Sequence, residues 1–226
     1  MLKTIGEYIN EVQTRYSKGV ASTDTRLKNR FIYSKLKQVR ATLITQHVNK
    51  KQFLNDSFYQ VLPAIELEFY NGTFIDSVKI NNQILVSKKD LPVIISSINK
   101  PIIDFVSNIE GSIVYNNTSM ITLKNSAGRK YTGEKSNYVY YNNKLLISKK
   151  IIVKAVSLRA VFENPIEAYL YPVFGNCENN CVSYYDIPFY CDDDMGKAII
   201  ELTMEELLKT YAAKKEDKTG DTIDNT

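Results

Sequence analysis

The amino-acid sequence predicts an α+β protein. An N-terminal helical hairpin and a C-terminal helix form one helical layer, with a β-rich, hairpin or sandwich-like middle inserted between them. Three observations carry this. Apolar residues recur at helical spacing in the first fifty positions and again near the end. Between those stretches the pattern shortens to β-rich runs broken by Asn, Gly and Ser. The composition (226 residues, 44% hydrophobic, 24% charged, 9 Gly) belongs to a chain long enough to bury its own core. The boundaries read 1–70 for the helical part, 71–163 for the β-rich domain, 164–213 for a return segment and the C-terminal helix, and 214–226 for a disordered tail poor in apolar residues.

Thr4 and Glu7 have the spacing of a capping box, and Ile5, Ile9, Val12 and Tyr16 then fall on one helical face. Lys18-Gly19 ends that helix, and Ser22-Thr23-Asp24 offers a cap for the next. In the second helix Ile32, Leu36, Val39 and Leu43 make a stripe, Leu27 and Phe31 a second apolar edge, and Asn49 the end. Further on, SVKINNQILVSKK at 77–89 is echoed by YVYYNNKLLISKK at 138–150. Asparagine tolerates the positive φ that two-residue turns need, so Asn81-Asn82 and Asn142-Asn143 each predict a hairpin. A third hairpin is expected around Asn116-Asn117, within Ser112–Leu123. Residues 125–135 form a loop, and Ile151–Phe162 forms a long strand that ends at Asn164-Pro165 because proline stops pairing. The last helix starts near Met195 or Thr203, with Asp192–Asp194 placed to cap it, and presents Leu202, Leu207, Leu208 and Tyr211.

Charge is segregated along the chain. From Thr25 to Asn55 there are eight basic residues and no acid; from Asp186 onward eleven acids face five bases. Such asymmetry points to nucleic acid or to another copy of the same chain. Arg26, Arg30, Lys37 and Arg40, with Tyr33 nearby, are the candidate interface or DNA-proximal residues. They also support an alternative reading, a nucleic-acid-binding accessory protein that uses the basic helix 26–51 through salt-sensitive phosphate contacts.

Catalytic constellations are missing. A single histidine, His47, leaves no histidine-rich metal site, and it lies beside an apolar stripe. GRKYTGEKS at 128–136 resembles a phosphate loop, but the following Asn137–Tyr141 reads as a strand where such a loop needs a helix. Cys177, Cys181 and Cys191 lack the paired spacing of a zinc site and are expected to be reduced. Glu66/Glu68 and Glu163/Glu167 read as solvated surface pairs. The sequence therefore predicts a non-enzyme with no catalytic residues, cofactor, metal or small-molecule substrate. No apolar run approaches the roughly 18 residues of a membrane span, and the N-terminal stretch has no signal-peptide core.

Taken in order, STDTRLKNRFIYSKLKQVRATLITQHVNKK at 22–51, VYYNNKLLISKK at 139–150, AVFENPIEAY at 160–169 and IIELTMEELL at 199–208 resemble neck and tail ring proteins of tailed bacteriophages, closest to ring proteins of crAss-like short-tailed phages. The resemblance implies a virion structural protein, made in the host cytoplasm and resident in the tail or neck. It implies a cyclic, commonly twelvefold, homo-oligomer in the head-to-tail connector. Its partners would be the portal protein, adjacent tail or ring proteins, and double-stranded DNA passing without sequence-specific contact. A basic helix and an acidic C-terminal region meeting between neighbouring copies would suit such a ring.

Overall fold

The structure is a computed structural model that describes residues 2–17, 28–70, 74–75, 78–79, 84–98, 100–125, 136–148, 153–171 and 182–220. It divides into two compact units. One is built from Met1–Phe58 and Val182–Thr226, and the other is the intervening Tyr59–Cys181.

In the first unit, α1 (Ile5–Tyr16) opens with the expected capping box. Thr4 Oγ1 accepts from Glu7 N at 3.2 Å and Glu7 returns the bond to Thr4 N at 2.7 Å. Ile5, Ile9 and Val12 are buried, as their spacing requires. Helix α2 (Asn29–Asn49) begins later than the expected cap. Lys28 is its N-cap residue and provides no side-chain cap, while Ser22–Asp24 lie outside the described residues. Ile32, Leu36 and Val39 are buried as predicted, but Arg40 and Ile44 take the next inward positions and Leu43 is half-buried.

The third helix of this unit spans Asp193–Gly220 and is numbered α5 in chain order. Asp192 Oδ1 accepts from Met195 N at 2.7 Å, so the Asp run does cap it. The helix passes Lys214, where the sequence placed a disordered tail; 221–226 lie outside the described residues. Helices α1, α2 and α5 pack on one another. Gln13, Asn29 and Tyr185 join α1, α2 and a short 3-10 turn (Tyr184–Asp186) through two hydrogen bonds of 2.5 and 2.6 Å.

The β-rich middle expected from the sequence as hairpins or a sandwich-like layer is present as the second unit, and its strands close into a barrel. Its strands are β1 (Gln60–Phe69), β4 (Ile84–Ser87), β7 (Ile103–Asn108), β8 (Val114–Asn117), β9 (Asn137–Tyr141), β10 (Lys144–Ser148) and β11 (Ala155–Ala160), in the order β1-β11-β7-β8-β9-β10-β4 and back to β1. Two short hairpins stand apart: β2 (Phe74–Ile75) with β3 (Val78–Lys79), and β5 (Ser96–Ser97) with β6 (Lys100–Pro101). Strand structure thus begins at Gln60, eleven residues before the expected start of the β-rich domain at residue 71. Gln60, Leu62 and Ala64 do alternate inward, but Pro63 lies in a bulge between Leu62 and Ile65 that shifts the pattern by one residue.

Strands β9 and β10 form the hairpin predicted at Asn142-Asn143. Both asparagines have positive φ, 47° and 57°, as a type I′ turn demands. The turn expected at Asn81-Asn82 in the echoed segment lies outside the described residues. Val78–Lys79 bonds to Phe74–Ile75, Ile84–Ser87 bonds to β1 and β10, and 80–83 lie outside the described residues. The two echoed strands are instead neighbours, Leu85 opposite Ile147 and Val86 opposite Leu146, and Lys144 Nζ reaches across to Asp90 at 3.0 Å.

The expected turn at Asn116-Asn117 is also replaced. Chain reversal occurs at Gly111 (φ 71°), with Asn108 Oδ1 accepting from Ile113 N, and Asn116-Asn117 run parallel to Asn137-Tyr138. Helix α3 (Met120–Asn125) follows. β10 explains why a half-exposed pattern was not legible there. Leu145 and Ile147 enter the barrel core with Leu62, Val106 and Phe162, whereas Leu146 points the other way into a second cluster with Ile84, Val139 and Leu123 of α3. The predicted long strand shortens to β11, and Asn164 caps α4 (Pro165–Tyr169) with Pro165 in its first turn.

Candidate functional surfaces

The four basic residues singled out from the sequence do not form one surface. Arg26 lies outside the described residues. Arg30 is exposed, Lys37 is half-buried, and Arg40 is fully buried. Arg40 is therefore corrected from a surface cation to a core residue. Its Nε donates to Tyr190 O at 2.7 Å, and its guanidinium lies 5.8 Å from the Phe189 ring centroid. Desolvation lowers its pKa to about 10. One residue after Tyr190, Cys191 Sγ lies 3.1 Å from Tyr8 Oη, and burial raises the pKa values of both groups. The arrangement pins α1 and α2 to the segment that leads into α5.

The basic and acidic helices meet within one copy. Lys35 Nζ is 3.2 Å from Glu206 Oε2, so part of the charge complementarity expected between copies is satisfied inside the subunit. With Arg40 buried and Lys35 paired, the exposed positive charge of α2 is thinner than the sequence implied, which weakens the nucleic-acid alternative.

The end of α2 carries a feature that the sequence reading passed over. Lys51 adopts positive φ (58°), and the amides of Lys51 and Gln52 bond back to Val48 O and His47 O. His47 Nε2 is 3.1 Å from Phe53 O, so the imidazole serves as a loop anchor. The Phe53 side chain is 98% exposed. Beside this loop a groove of about 390 Å³ opens between α2 and the start of α5, lined by the apolar Leu43, Met195 and Ala198 and by polar side chains that include Lys50, Asp192 and Asp194. A lone phenylalanine directly after a lysine-rich helix end was the available signal.

The other motifs resolve as follows. Residues 128–135 of the phosphate-loop look-alike lie outside the described residues, and the segment that follows it is strand β9, as its sequence context required. Glu66 pairs with Lys88 at 3.2 Å, Glu68 is exposed, and Glu167 accepts from Asn164 Nδ2. Cys177 and Cys181 lie outside the described residues. Among the described residues no group of three His, Cys, Asp or Glu side chains is placed to hold a metal, and no helix is long and apolar enough to cross a membrane.

The class these surfaces serve is given by comparison with protein families: the ring proteins of phage tails, which are virion structural components. The family model described as phage tail ring protein 2 matches residues 7–226, nearly the whole chain, and the chain belongs to this family of crAss-like phage ring proteins. Comparison with curated proteins returned no match.

Proposed function

We propose that the chain is one subunit of a closed ring in the head-to-tail connector of a phage particle, expected to be twelvefold, through which genomic DNA passes. The observation that carries this reading is the family match over residues 7–226. The segregated charge supports it physically. Copies that carry unlike surfaces meet head to tail, and such contacts close into a ring when the rotation between copies divides a full turn. Complementary charge steers orientation, while burial of apolar surface supplies affinity. The portal and adjacent ring or tail proteins are the neighbours above and below, and DNA in transit makes no sequence-specific contact.

Axial imaging of the particle, combined with native mass spectrometry of the purified chain, tests the reading. It expects rotationally repeated density for this chain around the tail channel and a closed oligomer in solution. Particles in which the chain is absent from the connector would refute it.

A further inference from the structure

We propose that β8 is a latch of the barrel: this strand releases and reseats on its own while the other strands stay folded. The register shows how little holds it. Two residue pairs join it to β7 (Val106 with Tyr115, Ser107 with Val114) and two to β9 (Asn116 with Asn137, Asn117 with Tyr138), whereas β1 and β11 share five. The β8–β9 junction is parallel, and the other six junctions of the barrel are antiparallel, the stronger pairing per residue. Neither neighbour depends on β8, because β7 pairs on its far side with β11 and β9 with β10. Release leaves six strands as one continuous sheet and uncovers the facing edges of β7 and β9, which the closed barrel conceals.

Side chains tether β8 as lightly as its backbone does. Val114, Asn116 and Asn117 are exposed, and asparagine is a poor strand former. Tyr115 alone enters the core. Its buried hydroxyl has no hydrogen-bond partner among the described residues, so burial of the ring is offset by an unmet polar group. Local structure holds both ends without needing the strand. Before it, the chain reverses at Gly111, with Asn108 Oδ1 accepting from Ile113 N at 2.9 Å. After it, Ser119 Oγ accepts from Thr122 N at 3.2 Å at the start of α3, and Leu123 anchors that helix among Ile84, Val139 and Leu146. The moving piece is therefore residues 114–118. A space of about 490 Å³, lined by Lys100, Asn117, Thr118 and Tyr140 among others, lies alongside its end and gives it room.

Hydrogen–deuterium exchange of the full chain, resolved to single amides by mass spectrometry, tests this. Asn116 N and Thr118 N donate to Ser136 O and Tyr138 O at 2.9 and 3.0 Å, and these amides report release of β8. Leu67 N of β1, which donates to Lys154 O at 2.9 Å, is the reference. The β8 amides are expected to exchange at least about tenfold faster than Leu67, at a rate that urea below the unfolding midpoint leaves unchanged, as local opening requires. Tyr115→Phe removes the unpartnered hydroxyl and is expected to slow exchange at Asn116 and Thr118 about tenfold. Exchange of the β8 amides in step with Leu67 at every urea concentration overturns the latch. Exchange in Tyr115→Phe as fast as in the wild type, or faster, overturns the part assigned to the hydroxyl.

Discussion

Gly196 is the most informative single position in the helical unit, because a methyl group there collides with one identifiable atom. A Cβ built on Gly196 overlaps the hydroxyl of Tyr8, with the next ring atoms at 3.2 Å (Cζ) and 3.4 Å (Cε1). That hydroxyl lies 3.1 Å from Cys191 Sγ, and its ring packs on Phe189 at a centroid distance of 4.8 Å, so Tyr8 has little room to retreat. Replacing Gly196 by Ala gains up to about 1 kcal/mol of helix propensity in α5. Against this stand an overpacking cost of about 1–3 kcal/mol and about 1 kcal/mol from the strained hydroxyl–thiol bond. The net expectation is a loss of about 1–3 kcal/mol, or roughly 2–4 °C in Tm per kcal/mol for a chain of this size. Removing the offending oxygen changes the sign of the argument. In a Tyr8→Phe background the nearest ring atom is 3.2 Å away, and Gly196→Ala becomes neutral or mildly stabilising. Urea unfolding of the four proteins in this cycle, followed by helical circular dichroism, measures a coupling of at least about 1 kcal/mol. An identical cost for Gly196→Ala in both backgrounds would refute the reasoning.

Two further perturbations concern the barrel. Asn142→Ala keeps a Cβ at φ 47° but loses the polar side chain whose local hydrogen bonding lets asparagine tolerate that conformation, and should lower stability by about 1 kcal/mol, whereas Asn142→Gly, with no Cβ to strain, retains stability; urea midpoints of the two variants separate the backbone effect from the loss of the side chain. Burial pushes the phenols of Tyr138 and Tyr171 up to about 12. A phenol whose pKa is raised in the folded state contributes stability that is complete below its unfolded value near 10 and is lost as pH rises towards 12. Barrel unfolding midpoints should therefore fall between pH 9 and 11 more in the wild type than in a Tyr138→Phe/Tyr171→Phe variant. Arg40, lowered to about 10 in the helical unit, acts with the opposite sign above pH 10, so barrel fluorescence or near-UV signals, not helical content, are the readout.

Sequence periodicity revealed those elements whose pattern arises from a single buried face. The capping box at Thr4, the inward stripe of Ile32, Leu36 and Val39, and the Asn142-Asn143 turn all follow from local chemistry. It misled where tertiary context chose between local options. Asn116-Asn117 has the composition of a turn, yet Gly111 reverses the chain and the asparagines pair with β9, because the barrel needs a strand there. Pro63 and the bulge hid the start of β1. Arg40 was read as a surface cation because charge normally marks the outside of a helix. Nothing in its neighbours along α2 announces that Tyr190 O and the Phe189 ring would arrive from 150 residues away. The same limit applies to the groove beside Phe53, whose floor joins Leu43 to Met195 and Ala198.

The helical unit is assembled from two stretches of chain separated by the entire barrel. During translation, α1 and α2 leave the ribosome while their covering helix has not yet been synthesised, and all the barrel strands precede it. Domains mature in the order in which their residues emerge, so the β unit can complete itself before the helical one, which waits for α5. A nascent polypeptide from which α5 has not yet emerged accordingly lacks the α2–α5 cleft, whatever the state of its barrel.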